Sequence, residues 1–213
     1  MRVALVIEKM DPARGGREAS TAEVALALAR RGCNVTILCQ SAAWQVPGVR
    51  VRPLGKHGAG RTRRLSNFAK QVTTEVHRGT YDVVHTTLPI PGADVYQLRS
   101  GTTPAVWQAT LRRRGQLHRS AAAFARSCNI YRWYLARMER QVVAQRRTYC
   151  LAVSQMVANE LAHYFGRREG VRVVYNAVAR SGRNDRQWRA LRQQQRTALR
   201  LRREDPLFIT VAK

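Results

Sequence analysis

The first forty residues constrain this chain most. Residues 3–7, Val-Ala-Leu-Val-Ile, form an apolar run that suits one strand buried on both faces. A polar turn with Pro12 and the pair Gly15-Gly16 follows. Ala22, Ala25, Leu26 and Ala29 then recur at helical spacing until Gly32, and residues 35–38 are a second apolar run rich in β-branched side chains. Strand, glycine turn, helix and strand in that order make a βαβ unit. In an open parallel sheet, the first turn of such a unit lies where ligands bind, so residues 13–20 are the first expected ligand edge.

The same alternation continues. Strands are expected over residues 49–51, 81–85, 93–98, 150–153, 171–175 and 207–212, each a short apolar or β-branched run. Helices are expected over 61–78, with Leu65, Phe68, Val72 and Val76 on one face, and over 154–165, with Ser154 as N-cap and Gly166 as the stop. A polar helix spans 185–203. The longest helix covers 119–147, where Phe124, Cys128, Tyr131, Leu135, Met138 and Val142 draw one apolar stripe. Residues 86–92 and 99–117, interrupted by glycine and proline, read as loops. Strands alternating with helices predict an α/β fold, a Rossmann-like parallel sheet flanked by helices.

Charge narrows the partners. Thirty-eight Lys and Arg against thirteen Asp and Glu give the 213-residue chain a net charge of +25 and a pI near 11.6. Such a surface favours anionic partners: nucleic acid, an acidic membrane face or a phosphorylated substrate. The plain alternative is arginine accumulated on solvated faces. Nucleic acid is the weaker partner, because the arginines are dispersed and no helix-turn-helix, zinc-finger or RRM pattern occurs. Cys33, Cys39, Cys128 and Cys150 lie far apart with no CxxC pair, which argues against a zinc site or disulfide framework and suits a reducing compartment. No metal or cofactor is expected. The N-terminal apolar run is too short for a signal peptide and no run has the length of a membrane span, so the expectation is a cytoplasmic protein docking peripherally on the inner membrane face.

Several residues stand out as site candidates. Arg14-Gly15-Gly16-Arg17 has neither the GxGxxG spacing of a dinucleotide fold nor the GxxxxGK[ST] of a P-loop, yet glycines before a helix let backbone amides approach an anion. His85, ending an apolar strand, is either a catalytic base or a hydrogen-bonded core histidine. The helix over 119–147 carries Arg126, Arg132, Arg137, Arg140, Arg146 and Arg147 on its polar face, with Glu139 as the only acid there. The triplet Arg112-Arg113-Arg114, placed in the loop before it, points to an anionic surface. A GxSxG elbow is absent, which removes the serine-hydrolase reading.

Together, the opening strand with its GG turn, YDVVHTT, CLAVSQMVANELAHYFG, VRVVYNAV and PLFITVA resemble the family 4 glycosyltransferases of the GT-B fold. PIPGADVYQLRSG is similar to the lipopolysaccharide-core glucosyltransferase branch. The resemblance implies the first, acceptor-side half of a two-domain enzyme, with residues 1–180 as its Rossmann-like domain, 181–205 as an interdomain helix and 206–213 opening a donor domain that the chain lacks. It implies a nucleotide-sugar donor and a cell-envelope glycan or glycolipid acceptor. It places Gly15, Gly16 and Arg17 at the donor diphosphate, Arg99, Gly101 and Arg112 to Arg114 on the acceptor side, and Asn176 in the hinge. Ser100 stands where family members carry a catalytic His or Asp, and a serine cannot act there as an ionised base. The resemblance further implies that this piece is inactive alone.

Overall fold

The computed structural model describes residues 1–79, 81–112, 129–176, 184–202 and 204–209. The chain divides into two compact units, Met1–Asn176 and Ala177–Lys213.

The first unit is built on seven strands: β1 (Arg2–Val6), β3 (Asn34–Cys39), β5 (Val49–Pro53), β6 (Val83–Thr86), β7 (Val95–Leu98), β8 (Tyr149–Ala152) and β9 (Val171–Val173). They pair in the order β5-β3-β1-β6-β7-β8-β9, and every pairing is parallel. A small parallel pair, β2 (Lys9–Met10) with β4 (Ser41–Ala42), lies outside this sheet. Such two-residue pairs leave no periodicity in a sequence.

Alternate residues of the central strands feed opposite helix layers. Val3, Leu5 and Ile7 pack with Val35 and Ile37 against Ala22 and Ala25 of α1 (Gly16–Arg30). Ala4, Val6 and Val84 pack against Leu65, Phe68 and Val72 of α2 (Gly60–Gly79) and against Met138. Burial on both faces is why these strands read as unbroken apolar runs. Tyr96, Leu98, Cys150 and Ala152 meet Val142 of α4 (Ile130–Ala144) and Val157 and Leu161 of α5 (Gln155–Phe165). The caps of α5 follow the sequence. The Val157 amide donates to Ser154 Oγ at 3.3 Å, and Gly166 closes the helix at φ 66°, a left-handed conformation that suits glycine.

The structure corrects four expectations. Residues 103–112, read as loop, form helix α3 (Thr103–Arg112). Pro104 opens this helix rather than breaking it, because first-turn residues need no amide partner. Arg112 thus ends a helix instead of sitting in a loop, and Arg113 and Arg114 lie outside the described residues. The long helix expected over 119–147 starts, in its described part, at Ile130 with Asn129 as N-cap and stops at Ala144. Phe124, Arg126 and Cys128 fall outside the described residues. Glu139 is buried, not on the basic face. Finally, the described part of the strand expected over 207–212, residues 207–209, is unpaired with Phe208 and Ile209 exposed, and residues 210–212 lie outside the described residues.

The second unit contains α6 (Asp185–Ala198), opened by a capping box between Asn184 and Gln187. Arg196, buried at its C-terminal end, donates to the carbonyls of Arg202 and Asp205 and ties the following turn to the helix.

Candidate active site at the sheet switch point

Strand order reverses between β1 and β6, so the connections leaving their C-terminal ends run to opposite sides. In open α/β sheets, this crevice is where ligands bind. Here it holds a cleft of about 480 Å³ whose wall includes Glu8, Arg17, Arg99, Ser100, Trp107 and Tyr131. The helix N-termini of α1, α2, α3 and α4 contribute Arg17, Arg61, Thr103 and Tyr131 to it.

Gly15 and Gly16 lie at the start of α1. Gly15 is extended, with φ 175°, so its backbone does not demand glycine, and a side chain at Gly16 would enter open space. No side-chain cap bonds the first-turn amides of α1, although the carboxylate of Glu18 in that turn lies beside Gly15, 3.3 Å from where a Cβ would stand. Uncapped first-turn amides and the helix dipole favour an anion.

Arg99 links this turn to the loop after β7. Its Nη1 donates to the Arg17 carbonyl at 2.7 Å and its Nη2 to Gln97 Oε1 at 3.0 Å. The Arg17 carbonyl also accepts from Thr21 Oγ1 at 2.9 Å. Among the described residues no carboxylate lies within ion-pair distance of Arg99, and its buried Nε has no acceptor. Burial first, and then the neighbouring Arg17 charge, lower its pKa, with Glu18 acting the other way. Arg17 itself pairs with Glu18 at 3.3 Å. A half-buried cation with no carboxylate in direct contact is costly to hold, and an anion bound there would relieve that cost.

His85 sits behind Arg99, in a narrow crevice with Leu5, Thr21 and Val24 rather than on the open cleft. Burial, reinforced by the Arg99 charge and opposed by a hydrogen bond with Gln97, pulls its pKa down to about 4. The lowered pKa favours the uncharged ring at neutral pH, and the ring lines this crevice together with Arg99.

Ser100 is exposed on the cleft wall, and Gly101 next to it has φ +85°. The positive φ selects glycine, and a Cβ on Gly101 would come within 2.9 Å of Glu160 Oε2 and make that carboxylate shift. The Thr102 amide donates to Glu160 Oε2 at 2.7 Å, and the Thr103 amide donates to Glu139 Oε2 at 2.7 Å. Glu139 Oε1 accepts from Tyr96 Oη at 3.0 Å. Arg61 lies over the Tyr131 ring, 4.8 Å from its centroid.

The structure therefore brings Gly15, Gly16, Arg17, Arg99, Ser100 and Gly101 together, with His85 directly behind. Asn176 lies elsewhere, exposed at the end of the first unit. Glu139, Glu160, Tyr96, Arg61 and Tyr131 escaped the sequence reading. Glu139 was within reach: it stands four residues after Leu135 and three before Val142, on the flank of the apolar stripe. Among the described residues, no helix is long and apolar enough to cross a membrane.

The fold resembles two solved enzymes. Against WaaG, a glycosyltransferase involved in lipopolysaccharide biosynthesis, identity is 18%, the TM-score is 0.73, and the match covers 95% of this chain and 52% of that one. Against the sucrose-phosphate synthase of Thermosynechococcus elongatus, the values are 14%, 0.63, 96% and 54%. The chain thus spans about half the length of either structure, and its sheet is one Rossmann-like half of a GT-B fold. No curated protein matches the sequence. The model of Glycosyltransferase Family 4 matches residues 14–181, most of the chain, which therefore belongs to that family.

Proposed function

We propose that this chain supplies the acceptor-side wall of a glycosyltransferase that moves a sugar from a nucleotide-sugar to an anionic glycan or glycolipid of the cell envelope, such as a lipopolysaccharide core. The observation that carries this reading is Arg99, a half-buried cation with no carboxylate in direct contact and no acceptor for its Nε, bonded to the first turn of α1 at the sheet switch point. In sugar transfer, the bond from the anomeric carbon to the diphosphate breaks and the diphosphate keeps the electron pair. The acceptor oxygen bonds to that carbon, and its proton passes to the departing diphosphate. Charge develops on the leaving oxygens, so fixed donors and cations placed there before reaction lower the barrier most. The amides following Gly15-Gly16, together with Arg17, fit the diphosphate. Arg99 fits an anionic group of the acceptor. Ser100 can hydrogen-bond a substrate hydroxyl without acting as an ionised base.

In this reading a second domain, hinged near Asn176, closes the cleft and binds most of the nucleotide-sugar; the half-length match to both solved enzymes supports it. The exposed face of α4, where Ile130 and Trp133 stand with Arg137 and Arg140, suits docking on an anionic leaflet. Incubation of the chain with nucleotide-sugars is expected to give no turnover, while calorimetry detects binding of inorganic pyrophosphate. Turnover by the chain alone would refute the division of labour. No pyrophosphate binding would refute the assignment of the anion cleft.

A further inference from the structure

Only thirteen acids offset thirty-eight basic residues in this chain, yet two of them are placed beneath a single five-residue loop. Glu139, 1% exposed, comes from α4, and Glu160 comes from α5. Neither forms an ion pair among the described residues, although guanidinium groups are abundant. Both are used instead as acceptors. Glu160 Oε2 takes the Thr102 amide at 2.7 Å and the Thr102 hydroxyl at 3.2 Å. Glu139 takes the Thr103 amide on one oxygen and the Tyr96 hydroxyl on the other. Burial raises the Glu139 pKa, and the Glu160 charge adds to that rise against the bonds from Thr103 and Tyr96. A buried carboxylate without a cation is an expensive way to pack a helix. What it provides here is geometry: charge-assisted bonds that stop the amides opening α3 at one position.

We propose that Glu139 and Glu160 are a pair of positioning residues that clamp residues 99–103, so that the Arg99 guanidinium and Ser100 are presented to the cleft ready for an anionic ligand. The clamp works from two elements that are distant in sequence, thirty-six residues from Glu139 to Thr103 and fifty-eight from Glu160 to Thr102. Gly101 completes it, since a Cβ there would push the Glu160 carboxylate out of place. The identity of the ligand rests on the function proposed above; the clamp itself does not.

Electrostatics and positioning predict opposite signs, which makes the inference testable. Removing an acid near a cationic cleft should tighten anion binding by Coulomb attraction alone. Releasing the loop should weaken it. The experiment compares Glu160→Ala and Glu139→Ala with Glu160→Gln and Glu139→Gln in the intact 213-residue chain. It measures pyrophosphate affinity by calorimetry and amide exchange at Thr102 and Thr103. Each Ala variant is expected to accelerate exchange at its own threonine by about ten-fold or more and to weaken pyrophosphate binding. The Gln variants are expected to restore both, because a side-chain carbonyl still accepts the threonine amide and, at residue 139, the NH₂ can donate to Tyr96. If Glu139→Ala does not fold, Glu160→Ala, at a half-buried position, carries the same comparison. Wild-type exchange rates in the Ala variants, or tighter pyrophosphate binding by them, would overturn the proposal. If the wild-type chain binds no pyrophosphate, the anion-cleft reading fails and the exchange rates alone decide the clamp.

Discussion

Replacing Arg99 by methionine should separate stability from function. The substitution removes two hydrogen bonds, to the Arg17 carbonyl and to Gln97 Oε1, but the Arg17 carbonyl keeps its bond from Thr21. Each lost bond to a charged group is worth about 1.5–3 kcal/mol. Against that loss, the substitution removes a half-buried cation with no carboxylate in direct contact, a desolvation penalty of about a few kcal/mol once its solvent-exposed part is discounted. These terms are similar in size and opposite in sign, so the expected change in unfolding free energy is within about 1–2 kcal/mol of zero. Binding should behave otherwise. A unit charge about 5 Å from an anion contributes about 3 kcal/mol at an effective dielectric constant of about 20. Solvent access at the open cleft reduces this to roughly half, equivalent to about ten-fold in affinity. Urea titration and pyrophosphate calorimetry on the same preparation provide the two numbers. Clear destabilisation with unchanged affinity would refute the reasoning and make Arg99 a structural strut.

Two further outcomes follow from the same cluster. His85 has its pKa pulled down to about 4 from 6.5, so between those values the unfolded chain binds a proton that the folded chain refuses. Its contribution is therefore present above pH 6.5 and lost as pH falls toward 4, by an amount on the order of 3 kcal/mol. His85→Gln should flatten the urea midpoint between pH 7 and pH 4.5; a variant with the wild-type slope would contradict this. Glu139 has the opposite sign, since its raised pKa favours the folded chain on acidification, so the double variant with Glu139→Gln isolates the histidine. Gly101→Ala should destabilise the chain by about 1–2 kcal/mol through its positive φ and its contact with Glu160. A thermal midpoint equal to that of the wild type would show that the loop yields freely.

The parts that were legible in the sequence are those set by local chemistry. The βαβ opening could be read because its strands are buried on both faces and its glycines punctuate the turn. Ser154 and Gly166 mark the two ends of α5 for the same reason. Helix α3 was missed because Gly101 and Pro104 look like breakers, although Thr102 is a local N-cap, its Oγ1 accepting the Ala105 amide at 3.4 Å. Only the further bond from the Thr103 amide to Glu139 lies outside any window of neighbouring residues. Residues 207–209 have strand propensity but meet no pairing partner among the described residues, since pairing requires a second strand. At the site, the glycine turn and Arg99 could be named from the sequence. That Arg99 bonds the turn, that His85 lies behind it and that two acids hold its loop are facts of three-dimensional proximity.

Anion binding at the C-terminal ends of β1, β6 and β7 can be mapped residue by residue through amide chemical shifts during titration of the chain with inorganic pyrophosphate. Saturable shifts are expected to concentrate at Gly15, Gly16, Arg17, Ser100 and Gly101. Shifts spread over the arginines of α4 and α6 with no saturation would contradict binding there and reduce the charge of this chain to a diffuse cationic surface.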